Sequence, residues 1–311
     1  MYFIYSQQTH IEQMEVVSST KEKQLYKQVK KIPILELLKK KSNTPKGRTH
    51  AIIEQFSRDI LSFCSEDYTL RKNSDIYKPF EKLLAENGVP FTKNVKVVDG
   101  NKFYVDYIIK QKIESNKISD ILPRLSIWNS YDGTVKTQIK FGYHKMLCGN
   151  GLSRPAGCQI HLSSKHSADK EEFSKETIAY FLDLFNEFLS ETRSDIKMFE
   201  ILHSERVKPI VIETIASYLK LSKEARDMAM SQLKKETEGG MIYINEKGKR
   251  VKHPGSPITL FMVYNALNYA IFHTNSKELP DFKDKKDTAL IEVVCNKCKN
   301  IQKLKSTKSN S

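Results

Sequence analysis

Five cysteines, eight histidines and a scatter of carboxylates are the side chains of this sequence able to carry covalent, metal or acid–base chemistry. Cys295 and Cys298 have the knuckle spacing of a zinc ribbon, but a closed zinc site needs four ligands and no second pair follows. Cys158 and His161 would complete such a set only through the fold. Otherwise the pair is two free thiols on a mobile tail. His144 precedes Cys148 by four residues, so the two share one face of a strand. Their separation is then roughly 13 Å, too far for a nucleophile to touch its base. Cys148 therefore reads as a small buried hydrophobe. Asp106 and Glu114 lack the clustered carboxylates of a two-metal nuclease, and Asp106 is expected to pair with Lys136 or Lys140 across a sheet. No phosphate-cradling glycine loop and no zinc-protease histidine motif occurs. Enzyme chemistry accordingly ranks behind binding, and no cofactor is expected.

Phosphate recognition is the chemistry the sequence offers more freely. Lysine and arginine number 51 against 37 acids, a formal charge of +14. Such an excess favours association with phosphate backbones through counterion release, and it also suits an acidic protein or an anionic surface. Lys136 and Lys140 alternate with Val135, Thr137, Ile139 and Phe141, and Lys145 follows on the same arm. A half-buried strand with a cationic outer face is expected there. Tyr131 and Trp128 are the aromatics placed to stack bases beside it, and Arg154 would add a bidentate phosphate contact. The bland alternative is a solvated lysine face.

The elements that must position these groups follow from periodicity. Residues 1–45 read as a polar lead-in, with a short amphipathic helix after Pro33 and a Pro/Gly linker from Ser42 to Gly47. Apolar residues from Ala51 to Phe63, and from Ile76 to Glu86, have helical spacing. Residues 95–148 then change to β-branched and aromatic runs broken by Asp99-Gly100 and Tyr131-Asp132-Gly133, an antiparallel meander. Asn129, Asp132 and Gly133 are expected to serve turn chemistry. Helices return at 173–189, 207–219, 224–233 and 257–272. Residues 46–275 read as one α+β core domain, and 276–311 as a basic, partly disordered tail. No apolar run approaches the ~20 residues of a spanning helix, and Met1 to Tyr5 lacks a basic lead and a cleavage site. Five scattered cysteines suit a reducing cytoplasm.

One constellation carries a resemblance. An Asn129-Ser130-Tyr131-Asp132-Gly133 turn is followed by a strand ending in Cys148-Gly149-Asn150-Gly151-Leu152, and later by the helix Tyr264-Asn265-Ala266. Their order and separation resemble the phage- and plasmid-encoded family called domain of unknown function 932, over roughly residues 95–275. The resemblance makes Cys148 and Asn150 motif positions. It implies a mobile-element protein acting near replication, recombination or host defence.

Taken together, these features lead to an expected non-catalytic, cytoplasmic nucleic-acid binder, with DNA preferred over RNA and single-strand binding or annealing as the role. The alternative is a module that docks on a host protein. No membrane partner is expected, and self-association is left open.

Overall fold

A computed structural model describes residues 20–37, 47–110, 121–145, 150–155, 160–164, 175–237, 242–244, 250–252, 257–275 and 278–309. Residues 42–46 of the expected linker from Ser42 to Gly47 lie outside the described residues. The elements in chain order are α1 (20–25), β1 (Val29–Pro33), α2 (Ile34–Leu37), β2 (His50–Glu54), β3 (Ile60–Cys64), α3 (Asn73–Glu86), β4 (Phe91–Val98), β5 (Lys102–Ile109), β6 (Ile121–Ser130), β7 (Thr137–Lys145), β8 (Asn150–Leu152) and β9 (Ile160–Ser164). There follow α4 (Lys175–Ser204), α5 (Ile210–Tyr218), α6 (Lys223–Thr237), β10 (Ile242–Ile244), β11 (Arg250–Lys252), α7 (Leu260–His273) and α8 (Pro280–Ser309). The fold is α+β. An antiparallel sheet in the order β4-β5-β6-β7-β8, with β9 also on β7, stands with helices before and after it.

The residues form two compact units. The first comprises Met1–Lys110, Leu125–Lys140 and Ile160–Asn186, and the second Gln111–Arg124, Phe141–Gln159 and Glu187–Ser311. The expected division into lead-in, single core and tail therefore gives way to interleaved segments.

Two local readings change in the first unit. The helix expected from Ala51 to Phe63 is a hairpin of β2 and β3, onto which β1 adds in full register from Val29↔Glu54 to Pro33↔His50. Ile52, Ile53 and Ile60 are β-branched, and Arg58 turns the chain with φ 64°. A register shift at Ile52/Ile53 lets three consecutive β2 residues be buried, which mimics helical spacing in the sequence. The lead-in thus supplies a strand.

The meander behaves as expected. Asp99 and Gly100 have φ 53° and 69°, and Asn101 N–H donates to the Val98 carbonyl at 3.3 Å, a type I′ turn joining β4 to β5. Ile76, Tyr77, Phe80 and Leu84 of α3 face inward, and Phe80 meets Phe181 edge-on at 4.5 Å. Gly88, φ 63°, ends α3 while Val89 N–H returns to the Leu84 carbonyl at 2.9 Å.

The second unit is built around α7, which packs against α5, α6, α8 and β8. Thr259 caps it, its Oγ1 accepting from Met262 N–H at 3.2 Å. Burial extends round the whole helix, Tyr264, Asn265 and Asn268 included. The expected disordered tail is instead α8. Asp287, Leu290, Ile291, Val294, Cys295 and Cys298 are all buried at helical spacing. Each large apolar side chain so covered is worth ~1.5–3 kcal/mol, enough to order a helix whose other faces are lysine and asparagine.

Candidate nucleic-acid interface

The strand expected to present lysines to phosphate does so at one position. Lys136 is exposed and Gln138 half-buried, but Lys140 is only 6 % exposed. Its ammonium lies 4.1 Å from the centroid of the Trp128 ring, and that ring meets Tyr104 edge-on at 5.3 Å. A cation over an indole is held by the ring quadrupole, so Trp128 serves Lys140 and is not an open stacking platform. β9 pairs with β7 along Thr137–Lys140.

Tyr131 is also interior. Its hydroxyl accepts from Asn73 N–H at 3.3 Å and its ring packs edge-on to Phe103 at 5.0 Å. Lys145 is buried with its ammonium 5.1 Å from the Phe261 ring. Arg154 is 1 % exposed. Its Nε donates to Asp195 Oδ2 at 2.7 Å, its Nη2 to Glu191 Oε2, and the guanidinium lies 5.4 Å from the Phe188 ring. Two carboxylates therefore neutralise it, and it braces the end of β8 to α4. Lys140, Lys145, Arg154, Tyr131 and Trp128 accordingly do not form an exposed phosphate-and-base surface. Strand parity tells which residues share a face, but a covering layer decides whether that face meets water.

Asp132 and Gly133 form the turn, whereas Asn129, expected there too, is a buried residue of β6. Asp132 Oδ1 accepts from Thr134 N–H at 2.9 Å, Gly133 takes φ 71°, and Asp132 Oδ2 pairs with Lys102 at 3.1 Å. Asn129 donates to Asn73 Oδ1 at 2.8 Å and to the Arg71 carbonyl at 3.2 Å, and accepts from Thr137 Oγ1 at 2.9 Å. Asp106 accepts from Ser126 Oγ. Cys148, Cys158 and the side chains of Asn150 and His161 lie outside the described residues.

Cys295 and Cys298 are one turn apart on α8 and buried, in a helix rather than a knuckle loop. Burial, with the neighbouring Cys298, pushes the Cys295 thiol up to about 11, opposite to the thiolate that a metal requires. Among the described residues no three His, Cys, Asp or Glu side chains converge on a metal position.

A polar cluster that the sequence reading missed lies in the second unit. Asp287 Oδ2 accepts from Ser153 N–H at 2.8 Å and Tyr264 OH at 3.3 Å. Asp287 Oδ1 accepts from Asn268 Nδ2 at 2.8 Å, and the same amide reaches the Gly151 carbonyl at 2.9 Å. Burial pushes the Asp287 carboxyl up to about 6, against the pull of Asn268 and Ser153 and with the adjacent Asp284 charge adding to the rise. Arg124 Nη2 stands 3.9 Å from Asp284. A Cβ on Gly151 would land on that guanidinium, so glycine is needed there for close approach. The signal available was the spacing of Asp287 with Leu290, Ile291 and Val294 in a segment whose composition hid it.

The positive surplus is not in the interior. Among the described residues the buried ionisable side chains are six Lys or Arg and five Asp or Glu. The exposed ones divide unequally. The second unit exposes 12 cations: Arg193 and Lys197 on α4; Arg206 and Lys208 before α5; Lys220, Lys223, Lys234 and Lys235 about α6; Lys285, Lys286, Lys297 and Lys299 on α8. Against these stand 4 exposed acids, Glu187, Glu224, Asp227 and Glu292. Among the described residues of the first unit the corresponding figures are 10 and 9.

Residues 60–304 match the family model described as Domain of unknown function (DUF932). The chain belongs to that family. Neither the curated proteins nor the solved structures give a match. The DUF932 region begins at the start of β3 and extends into α8. It therefore contains the whole Asp287 cluster and the Arg154 brace, and leaves α1, β1 and β2 before it. Two of the three segments that carried the resemblance meet within it, where Asn268 of the Tyr264-Asn265-Ala266 helix binds the carbonyl of Gly151. Of the motif residues whose burial is described, Asn129, Ser130, Tyr131, Gly151, Leu152, Tyr264, Asn265 and Ala266 are interior.

Proposed function

We propose that this DUF932 protein is a non-catalytic nucleic-acid-binding protein of a phage or plasmid, acting in the cytoplasm, and that it meets phosphate on the helical surface of its second unit. One observation carries the reading: the fully exposed side chains described in that unit are 12 cations to 4 acids, and with the partly exposed ones counted 13 to 9, against 15 to 13 in the first unit. A one-signed surface attracts a polyanion over a Debye length and releases its counterions on contact. The reading moves the interface from β7 to α4, α6 and α8. Single-stranded DNA is the expected polymer, in replication or recombination. Among the described residues no helix is long and apolar enough to cross a membrane.

Titration of a labelled oligonucleotide by fluorescence anisotropy at ~50 mM and ~200 mM salt tests it. Six phosphate contacts on a single strand would give a slope of about −4 in log K against log salt. Absence of binding at the lower salt, or binding with no salt slope, removes the proposal.

A further inference from the structure

We propose that the groove between α5 and α8 holds one unpaired base of a single-stranded nucleic acid, with Tyr218 as the stacking platform. The inference rests on the nucleic-acid reading above and adds where a base is held. The groove has a volume of about 300 Å³, at the lower end of the ~300–1,000 Å³ typical of small-molecule sites. That suits one ring system.

Its floor is apolar, formed by Val211, Ile215 and Val293. Tyr218 is the last residue of α5 and is 72 % exposed, an aromatic that the chain itself leaves uncovered at the groove. Asn296 and Asn300, four residues apart on α8, share one helix face. Each amide offers a donor and an acceptor to a base edge. Lys297 also lines the groove, and no carboxylate does.

The lining selects the occupant: Lys297 is its charged member, while the neighbours in the chain include both cations, Lys208, Lys220 and Lys299, and acids, Glu213 and Glu292, that do not line it. An open aromatic, amides and lysines about an apolar floor are the parts from which single-strand sites are assembled. Stacking there tolerates any base because every base has a π-face.

The test uses the full chain and two labelled probes of equal length, an oligothymidylate and an abasic deoxyribose-phosphate chain. The wild-type protein binds the oligothymidylate about tenfold more tightly than the abasic chain, within the range for one stacked base. Tyr218→Ala lowers oligothymidylate affinity to the abasic level and leaves the abasic affinity and its salt slope unchanged. Tyr218→Phe retains the preference, and Asn296→Ala with Asn300→Ala reduces it in part. Equal wild-type affinity for the two probes overturns the proposal and leaves the phosphate reading standing. So does a preference that survives Tyr218→Ala. Failure of both probes to bind removes both readings.

Discussion

The two units solve the problem of buried polar groups differently. In the first, Asn129, Asn73 and Thr137 satisfy one another as neutral amides and a hydroxyl. In the second, Arg154 is locked between Asp195 and Glu191, and Asp287 is surrounded by donors from Ser153, Tyr264 and Asn268. Their fully exposed side chains differ too: 10 cations and 9 acids among those described in the first unit, 12 and 4 in the second. Neutral networks are insensitive to pH and moderate in energy. Ionic ones depend on pH, and breaking them leaves a buried charge without its counter-ion. In the second unit the ionic groups lie deepest, whereas the ion pair of the first, Lys102 with Asp132, sits at a turn.

The sharpest way to break this contrast is to remove one member of each network. Arg154→Ala leaves the carboxylate of Asp195 buried without its cation, the Tyr143 hydroxyl still donating at 2.7 Å. Its expected cost is ~3–5 kcal/mol. Asn129→Ala leaves amide and hydroxyl groups unmatched and costs about 1–3 kcal/mol. Urea unfolding of both variants measures the two. The contrast fails if Asn129→Ala proves the more damaging.

A pH series comes next. Burial pushes Asp287 up to about 6 from an unfolded value near 3.8. The folded state therefore holds a proton that the unfolded state has already released. Its contribution is fully present below about pH 4 and is lost as pH rises through 6, on the order of 2–3 kcal/mol. Asp132 in the first unit has the opposite sign. Burial works to raise it, but hydrogen bonds from Thr134 and Lys102 outweigh that and hold it below its ordinary range. Its contribution is present above the unfolded value and lost as pH falls. Thermal melts between pH 4 and 7 should show Asp287→Asn flattening the decline, with Asp132→Asn leaving it intact. Retention of the full slope in Asp287→Asn would falsify the assignment.

Smaller effects are expected at the surface. Arg193→Glu with Lys197→Glu reverses two exposed charges four residues apart on α4. Oligonucleotide affinity at ~50 mM salt should fall about tenfold. Lys78→Glu with Lys82→Glu makes the same change on α3, where Lys82 already faces Glu86 at 3.6 Å. That pair, and Lys136→Glu on β7, should alter affinity by no more than about twofold. Equal losses from α3 and α4 would show that the asymmetry between the units has no bearing on binding.

Much of the architecture was legible because local patterns and tertiary demands agreed. The Asp99-Gly100 turn and the helix from Ile76 to Glu86 each depend on a few neighbouring residues. Where tertiary packing outvoted local pattern, the reading failed. Ala51 to Phe63 has helical spacing only because a bulged strand buries three residues in a row. The segment after Lys277 read as a basic, partly disordered tail because its mean composition is polar, although a narrow stripe from Asp287 to Cys298 is buried. At the candidate site, residue types were read correctly as cationic and aromatic, but their exposure was not.

By itself the sequence determined the α+β class, the meander, the family and the size of the charge surplus, since each is a sum over local preferences or over residues. Only the tertiary structure decided which charges meet water. Lys136, just before β7, and Lys140 on it are alike in type and four residues apart, yet Lys140 lies by an indole and Lys136 in solvent. Burial is a property of what packs against a residue, and the partners that cover Lys140, Arg154 and Asp287 come from segments distant in the chain.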